Sequence, residues 1–231
     1  MFQLKEKLRL IRKKWRQKTY SQLGEDIAVL AYFNNRPKGF YVDVGCFHPH
    51  RYSNTRSLYE LGWSGINIDI SPRKLELFDF DRKRDVNILC GVGNAETTLT
   101  SYIFGNGSAL DTLDRETADR WAIDFKLPYR EVPVQSRPLT TVLKEQGVKK
   151  IDYLNIDVEG FEDAVLEGFD LSYFTPECIS IEIHGDIETV IASSSFKSIC
   201  SQGYHLHSWI KPTCILVRNE ETIASAETTS A

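Results

Sequence analysis

The regular alternation of short apolar segments with helix-like segments constrains the fold of this 231-residue chain more than any other feature. The apolar segments have the composition of buried strands and cover residues 40–44, 64–70, 86–92, 151–158 and 178–184. The segments between them have helical spacing or helix-terminal residues and cover residues 21–33, 54–62, 71–81, 139–147 and 162–169. This alternation predicts an α/β fold with a mostly parallel open sheet and helices on both faces. Residues 204–210 and 214–218 predict an additional C-terminal antiparallel hairpin.

Charge is distributed unevenly along the chain. Residues 1–18 contain eight Lys or Arg and one Glu, a net charge of +7, so the rest must carry −11 to give the total of −4. The apolar residues of this segment fall on one helical stripe, which consists of Leu4, Leu8, Ile11 and Trp15. We therefore predict a basic amphipathic helix over residues 1–20 that either contacts an anionic membrane surface or docks on its own domain. The acidic remainder argues against a nucleic-acid partner.

Length and cysteine usage set the expected organisation and compartment. We expect one domain over residues 21–218, followed by a disordered tail over residues 219–231 that is rich in Ser, Thr, Ala and Glu. The five cysteines are an odd number without a C-x-x-C pair, which favours a reduced, cytoplasmic compartment. No apolar run approaches the roughly 20 residues needed to span a bilayer, and no secretory signal is expected. The sequence leaves the oligomeric state open.

Acidic residues and glycine follow the first two predicted strands, at the edge where open α/β sheets bind their ligands. Asp43 and Gly45 end the first strand in the stretch FYVDVGCFHPH, and Asp69 ends the second. An acidic residue at the second position typically binds ribose hydroxyls. The turn lacks the G-x-G-x-x-G pattern that the pyrophosphate of a dinucleotide requires. A ligand with a ribose and no phosphate, such as S-adenosylmethionine, therefore fits these residues better.

The other cofactor candidates lie beside this turn or at neighbouring strand ends. Asn54 and Thr55 open a helix whose exposed N–H groups could hold the cofactor carboxylate, although capping alone also explains them. The complete set of predicted cofactor-binding residues is Asp43, Gly45, Asn54, Thr55, Asp69, Ile70, Gly91, Val92 and Asp157.

Several stretches, taken in order and spacing, resemble the FkbM-type S-adenosylmethionine-dependent methyltransferases. They are SQLGED, VDVGCFHPHRYSNTRSLYELGWSGINIDISP, VPVQSRPLTTVLKEQG, IDYLNIDVEGFEDAVLEG and ISIEIHG. The resemblance implies a Rossmann-like class I methyltransferase fold, S-adenosylmethionine as cofactor and, for most members, methylation of hydroxyl oxygens on sugars or secondary metabolites. Asn155 stands where many members have Lys, and Thr140 or Thr141 where they have Asp, which leaves the substrate open rather than the cofactor.

An alcohol acceptor must lose its proton as it takes up a methyl group, which calls for a positioned base or a metal ion. We predict catalytic roles for His184, Asp157 and Glu159, and contacts to the acceptor from Glu159, Glu182 and His184. An imidazole with an ordinary pKa of about 6.5 suits a base, while a loop hydrogen bond is the alternative role of His184. Asp157 and Glu159 could instead only cap the helix that follows them, because carboxylates are favoured at a helix N-terminus. Asp157, Glu159, Glu182 or His184 could also hold Mg²⁺ or Mn²⁺.

The expected acceptor is a small hydroxylated molecule or a glycan. Five aromatic residues in or beside the weakly patterned segment 105–131 could stack on a sugar or pack in a lid: Tyr102, Phe104, Trp121, Phe125 and Tyr129. Two other functions stay open. The missing glycines disfavour a nicotinamide-dependent oxidoreductase. The strand-end carboxylates and His184 disfavour a non-catalytic nucleotide-binding scaffold.

Overall fold

The computed structural model describes residues 19–105 and 107–219, so the predicted N-terminal helix and the tail beyond Asn219 lie outside the described residues. The strands are β1 (Phe40–Val44), β2 (Ser64–Asp69), β3 (Val86–Leu89), β4 (Gly91–Gly93), β5 (Thr97–Phe104), β6 (Tyr129–Pro138), β7 (Tyr153–Ile156), β8 (Cys178–Glu182), β9 (Tyr204–Ile210) and β10 (Thr213–Arg218). The helices are α1 (Glu25–Tyr32), α2 (Arg56–Glu60), α3 (Pro72–Asp81), α4 (Arg115–Asp124), α5 (Leu139–Glu145), α6 (Glu162–Glu167), α7 (Leu171–Phe174), α8 (Ile187–Ala192) and α9 (Ser194–Ser201).

A seven-stranded sheet forms the centre of the domain, in the order β3-β2-β1-β7-β8-β10-β9. Strands β3, β2, β1, β7 and β8 run parallel, whereas β10 pairs antiparallel with both β8 and β9. The prediction of a mixed α/β fold with a mostly parallel sheet is therefore confirmed. The strand order reverses beside β1, because β2 and β7 flank it, and this places a ligand crevice at the carboxyl ends of these strands.

Alternating residues of the central strands supply apolar cores on the two faces of the sheet. In β1, Tyr41 belongs to the core that α1 and α2 cover, whereas Val42 and Val44 belong to the core that α5 to α9 cover. The residues of β7 and β8 alternate between the two cores in the same way, with Tyr153 in the first core and Leu154 in the second. This two-residue periodicity is what a parallel sheet buried on both faces requires.

A second, three-stranded sheet with the order β4-β6-β5 lies beside the main one. The sequence predicts a single strand over residues 86–92, but the structure divides it at Cys90: β3 joins the main sheet and β4 pairs with β6. Strand β6 was not predicted. It contains Pro133 and Pro138, and most of its residues are exposed or half-buried, so its apolar pattern is weak. The short helices α7 and α8 were also missed. Residues 97–104 form β5, which pairs with β6 along its whole length.

All five cysteines are free thiols. Among the residues that the structure describes, no helix combines the length and apolarity needed to cross a bilayer.

Candidate active site

A cavity of about 840 Å³, including space open to solvent, lies at the carboxyl ends of β1, β2 and β7. Most of the residues that line the cavity come from the turn after β1, from the ends of the neighbouring strands, and from positions 109 and 111–113 of the segment between β5 and α4. The cavity therefore occupies the position that the strand-end residues predict.

The turn at Gly45 brings the ends of β1 and β7 into direct contact. Gly45 has a φ of +87°, and a Cβ at this position would lie 1.7 Å from the carbonyl oxygen of Asp157. The amide of Gly45 donates to the carbonyl of Ile68, and the amide of Asp157 donates to that of Val44. Only glycine allows this close approach. The backbone at Gly45 is therefore held open to the cavity between the two neighbouring strands.

Asp43 is buried at the base of the cavity and is already hydrogen-bonded through both oxygens. Thr55 donates to one oxygen at 2.8 Å, and the amide of Asn155 donates to the other at 2.9 Å. Asn54 in turn donates to Asn155 at 3.0 Å. Burial raises the pKa of Asp43, although the bonds from Thr55 and Asn155 lower it. Thr55 thus lies behind Asp43 and is not among the residues that line the cavity.

Asp69 belongs to a buried ion-pair group that the sequence analysis did not identify. Lys74 Nζ lies 3.3 Å from Asp69 Oδ2 and 3.3 Å from Asp111 Oδ2, and all three side chains are at most 5% exposed. The other oxygen of Asp69 accepts from the amide of Ser71 at 2.7 Å. Burial raises the pKa of Asp69 to about 6, although Lys74 lowers it. Burial would lower the pKa of Lys74, but the two carboxylates together raise it.

Four ionisable side chains meet beyond the ends of β7 and β8: Asp157 and Glu159, which line the cavity, and Glu182 and His184, which lie beside them. One ligand-type atom each from Glu159, Glu182 and His184 lies within 4.8 Å of the other two. Burial, followed by the charges of Glu182 and Glu162, raises the pKa of Asp157 well above its usual range. Burial and neighbouring carboxyls also raise the pKa of Glu159 to about 9 and that of Glu182 to about 8.

His184 stands at the outer edge of this group. Its side chain is 58% exposed, and its Nε2 lies 3.7 Å from Glu182 Oε2. Burial of the remaining part, followed by the charge of Arg120, lowers the pKa of His184 below its ordinary value. The imidazole is therefore neutral at neutral pH and can accept a proton or bind a cation.

The segment between β5 and β6 covers this end of the cavity. Thr112 Oγ1 donates to the carbonyl of Glu159 at 2.7 Å, and a Cβ at Gly160 would lie 2.5 Å from Thr117 Oγ1. Four of the five aromatic residues considered for sugar stacking form a cluster of their own here: Tyr102, Phe104, Trp121 and Tyr129. Tyr102 and Phe104 are 5% and 2% exposed. These two rings are therefore core residues of the covering layer and present no face to a sugar.

The structure brings most of the predicted residues together. The predicted residues that line the cavity are Asp43, Gly45, Asn54, Asp69, Ile70, Val92, Asp157 and Glu159. Those that do not line it are Thr55, Gly91, Glu182 and His184, of which the last two lie beside Glu159. Phe47, Tyr52, Lys74 and Asp111 also line the cavity and were not predicted as site residues. Of these four residues, only Lys74 could have been found from the sequence, because it lies five residues after Asp69, in the first turn of the helix that follows β2.

The methyltransferase FkbM domain matches residues 35–207, about three quarters of the chain. No curated protein matches the sequence significantly. The matched residues contain β1 to β8 and the whole of the cavity wall except Gln22. By this match over most of its length, the chain belongs to the FkbM methyltransferase family.

Proposed function

We propose that the protein is an S-adenosylmethionine-dependent methyltransferase with a class I fold. The strand order supports this proposal, because it reverses beside β1 and so places the ligand crevice at Gly45. The cavity also suits a cofactor without phosphates, since its turn offers one glycine and the side chains of Cys46 and Phe47 instead of a glycine-rich cradle. Asp69, at the end of β2, would bind the ribose hydroxyls.

The proposed reaction is methylation of a hydroxyl oxygen. The acceptor oxygen forms a bond to the methyl carbon while the bond from that carbon to sulfur breaks, giving a methyl ether and S-adenosylhomocysteine. The electron pair of the broken bond stays on sulfur and neutralises the sulfonium. The hydroxyl proton goes to a basic group of the protein. Alignment and exclusion of water supply most of the acceleration for such a displacement.

The group of Asp157, Glu159, Glu182 and His184 carries the assignment to a hydroxyl acceptor. Asp157 and Glu159 line the cavity, Glu182 and His184 lie beside Glu159, and a carboxylate or a neutral imidazole can accept a hydroxyl proton. We assign the catalytic role to Asp157, Glu159 and His184. Neighbouring hydroxyls of a sugar, a glycan or a hydroxylated metabolite would bind to the remaining oxygens, including those of Glu182.

Replacement of Asp69 tests the cofactor assignment. Asp69→Ala is expected to weaken S-adenosylhomocysteine binding about 10–100-fold, since hydrogen bonds to a charged group contribute about 1.5–3 kcal/mol. Isothermal titration calorimetry measures this affinity, with thermal unfolding as the test that the variant folds. Asp124→Ala, at an exposed position on α4, is the matched control and should bind as the wild type does.

The same titration separates the alternative functions. The wild type is expected to bind S-adenosylhomocysteine and not NADH. Saturable NADH binding would support an oxidoreductase, and binding of neither ligand would support a scaffold. An unchanged affinity in folded Asp69→Ala would remove the ribose role of Asp69 while leaving the cofactor assignment in place.

We also propose that residues 1–18 bring the protein to an anionic membrane surface. Their charge of +7 supports this, because each basic residue near such a surface contributes about 1 kcal/mol. A chain that begins at Thr19 is expected to bind S-adenosylhomocysteine normally and to lose co-sedimentation with phosphatidylserine vesicles. Equal co-sedimentation of the full and shortened chains would rule out this role.

A further inference from the structure

We infer that Glu159, Glu182 and His184 together bind one divalent cation, of the Mn²⁺ or Mg²⁺ class. The role of this cation in catalysis rests on the proposed function. Binding of the cation to the protein does not. One atom from each of the three side chains lies within 4.8 Å of the other two, which is the spacing of groups that share a single ion. Two carboxylate oxygens and one imidazole nitrogen form the ligand set.

The fold brings these three ligands together from two neighbouring strands. Strand β7 runs parallel to β8, with Ile156 beside Ile181, so the residues that follow both strands reach the same edge of the sheet. Glu182 ends β8, and His184 follows it by two residues. Glu159 lies in the turn after β7 with a φ of 56°, and Thr112 holds its carbonyl. The convergence therefore follows from the sheet register and from a fixed turn.

One buried oxygen within the group has no hydrogen-bond donor. Among the described residues, no N–H or O–H group donates to Glu182 Oε2, although this atom has almost no contact with solvent, and the Glu182 carboxyl contacts the carboxyl of Asp157, another acceptor. His184 Nε2, at 3.7 Å, is the nearest basic atom recorded for it. An unsatisfied buried polar atom costs about 1–3 kcal/mol, and more when the group is charged. A cation between Glu182 and His184 would satisfy this oxygen.

The surrounding charges are also those of a cation site. Asp157 adds another carboxyl beside the group. No Lys or Arg within residues 19–105 or 107–219 forms an ion pair with Asp157, Glu159 or Glu182. Lys74 is held between two other carboxylates, and Arg120 donates to Thr117. Within the described residues these three carboxyls therefore have no Lys or Arg as a partner.

The nature of the ligands favours Mn²⁺ over Mg²⁺. Mg²⁺ binds through oxygen ligands and retains several waters, whereas a site that includes imidazole suits a softer ion. A bound divalent cation lowers the pKa of a coordinated hydroxyl group. With His184 as a ligand, Asp157 is the group next to the site that remains free to take the proton.

Mn²⁺ titration of the protein without cofactor or acceptor tests the site directly. The electron paramagnetic resonance signal of free Mn²⁺ falls as the ion binds, so the affinity is measured independently of activity. Glu182→Gln and His184→Ala are each expected to weaken Mn²⁺ binding at least about 10-fold, the lower end of the loss seen when groups that support metal ligands are removed. Glu76→Gln and His205→Ala, both at exposed positions, are the matched controls and should bind Mn²⁺ as the wild type does.

Two outcomes would overturn the inference: no saturable Mn²⁺ binding by the wild type, or an unchanged affinity in both site variants. His184 is largely exposed, so its alanine variant should remain folded even if Glu182→Gln does not. Titration of the same protein with S-adenosylhomocysteine distinguishes failure of this site from failure of the proposed function. Cofactor binding without Mn²⁺ binding removes only the metal, and Mn²⁺ binding without cofactor binding removes only the methyltransferase.

Discussion

The His184→Ala variant is expected to turn over about 10²–10⁴-fold more slowly than the wild type, with unchanged affinity for S-adenosylhomocysteine. The selective effect follows from position: His184 lies beside Glu159 but outside the set of residues that line the cofactor cavity. Its loss affects removal of the acceptor proton and leaves the cofactor contacts intact. Single-turnover kinetics with a methyl acceptor, combined with calorimetry, measure the two quantities separately. His205→Ala is the control for removal of an exposed histidine.

Added Mn²⁺ distinguishes a ligand from a base in the same experiment. If His184 binds the cation, high Mn²⁺ concentrations should restore part of the turnover of His184→Ala, because mass action refills a weakened site. Asp157→Asn should lose a similar amount of turnover and recover none of it, since the missing group is the one that takes the proton. Near-normal turnover in both variants would show that neither side chain acts on the acceptor, and that alignment of the reacting groups suffices.

The central sheet was predictable because its local signals and its tertiary environment agree. In β1 and β7, all residues except Asp43 and Asn155 are apolar or aromatic. Helices cover both faces of these strands, so the burial agrees with the sequence pattern. Strand β6 shows the opposite situation. Its residues are mostly exposed or half-buried, and pairing with β5 rather than apolar burial holds it in place. Periodicity cannot detect a strand of that kind.

Sequence position predicted where the site lies but not how its side chains are engaged. Strand-end residues share one edge in any parallel sheet, which is why Asp43, Asp69 and Asp157 all reach the cavity. The ion pair of Lys74 and Asp111 was missed because the two residues lie 37 positions apart. Lys74 belongs to α3, whereas Asp111 lies in a loop whose sequence has no periodic pattern. Long-range ion pairs of this kind depend on how the covering segment folds back, and this information is not local.

The buried ion-pair group of Asp69, Lys74 and Asp111 carries the largest expected effect on stability. Lys74→Met is expected to lower the free energy of unfolding by about 3–5 kcal/mol, because it leaves two carboxylates buried without their cation. Chemical denaturation measures this loss at neutral pH. Lys149→Met, at an exposed position, is the matched control and should leave stability unchanged. Adding Asp111→Asn to Lys74→Met should recover part of the loss, since it removes one of the uncompensated charges.

The pH dependence shows whether the loss arises from charge or from packing. The pKa of Asp69 is raised from 3.8 to about 6 in the folded protein, so the folded state holds this proton more tightly than the unfolded chain does. The resulting stabilisation is fully present below pH 3.8 and is lost as the pH rises to about 6. Without Lys74 the pKa values of Asp69 and Asp111 rise further, because the cation that lowers both is gone. The deficit of Lys74→Met should therefore be larger at about pH 8 than at about pH 4.5, where Asp69 is protonated and one buried charge is removed. A deficit that is equal at both pH values would assign the loss to the missing lysine stem rather than to the buried charges.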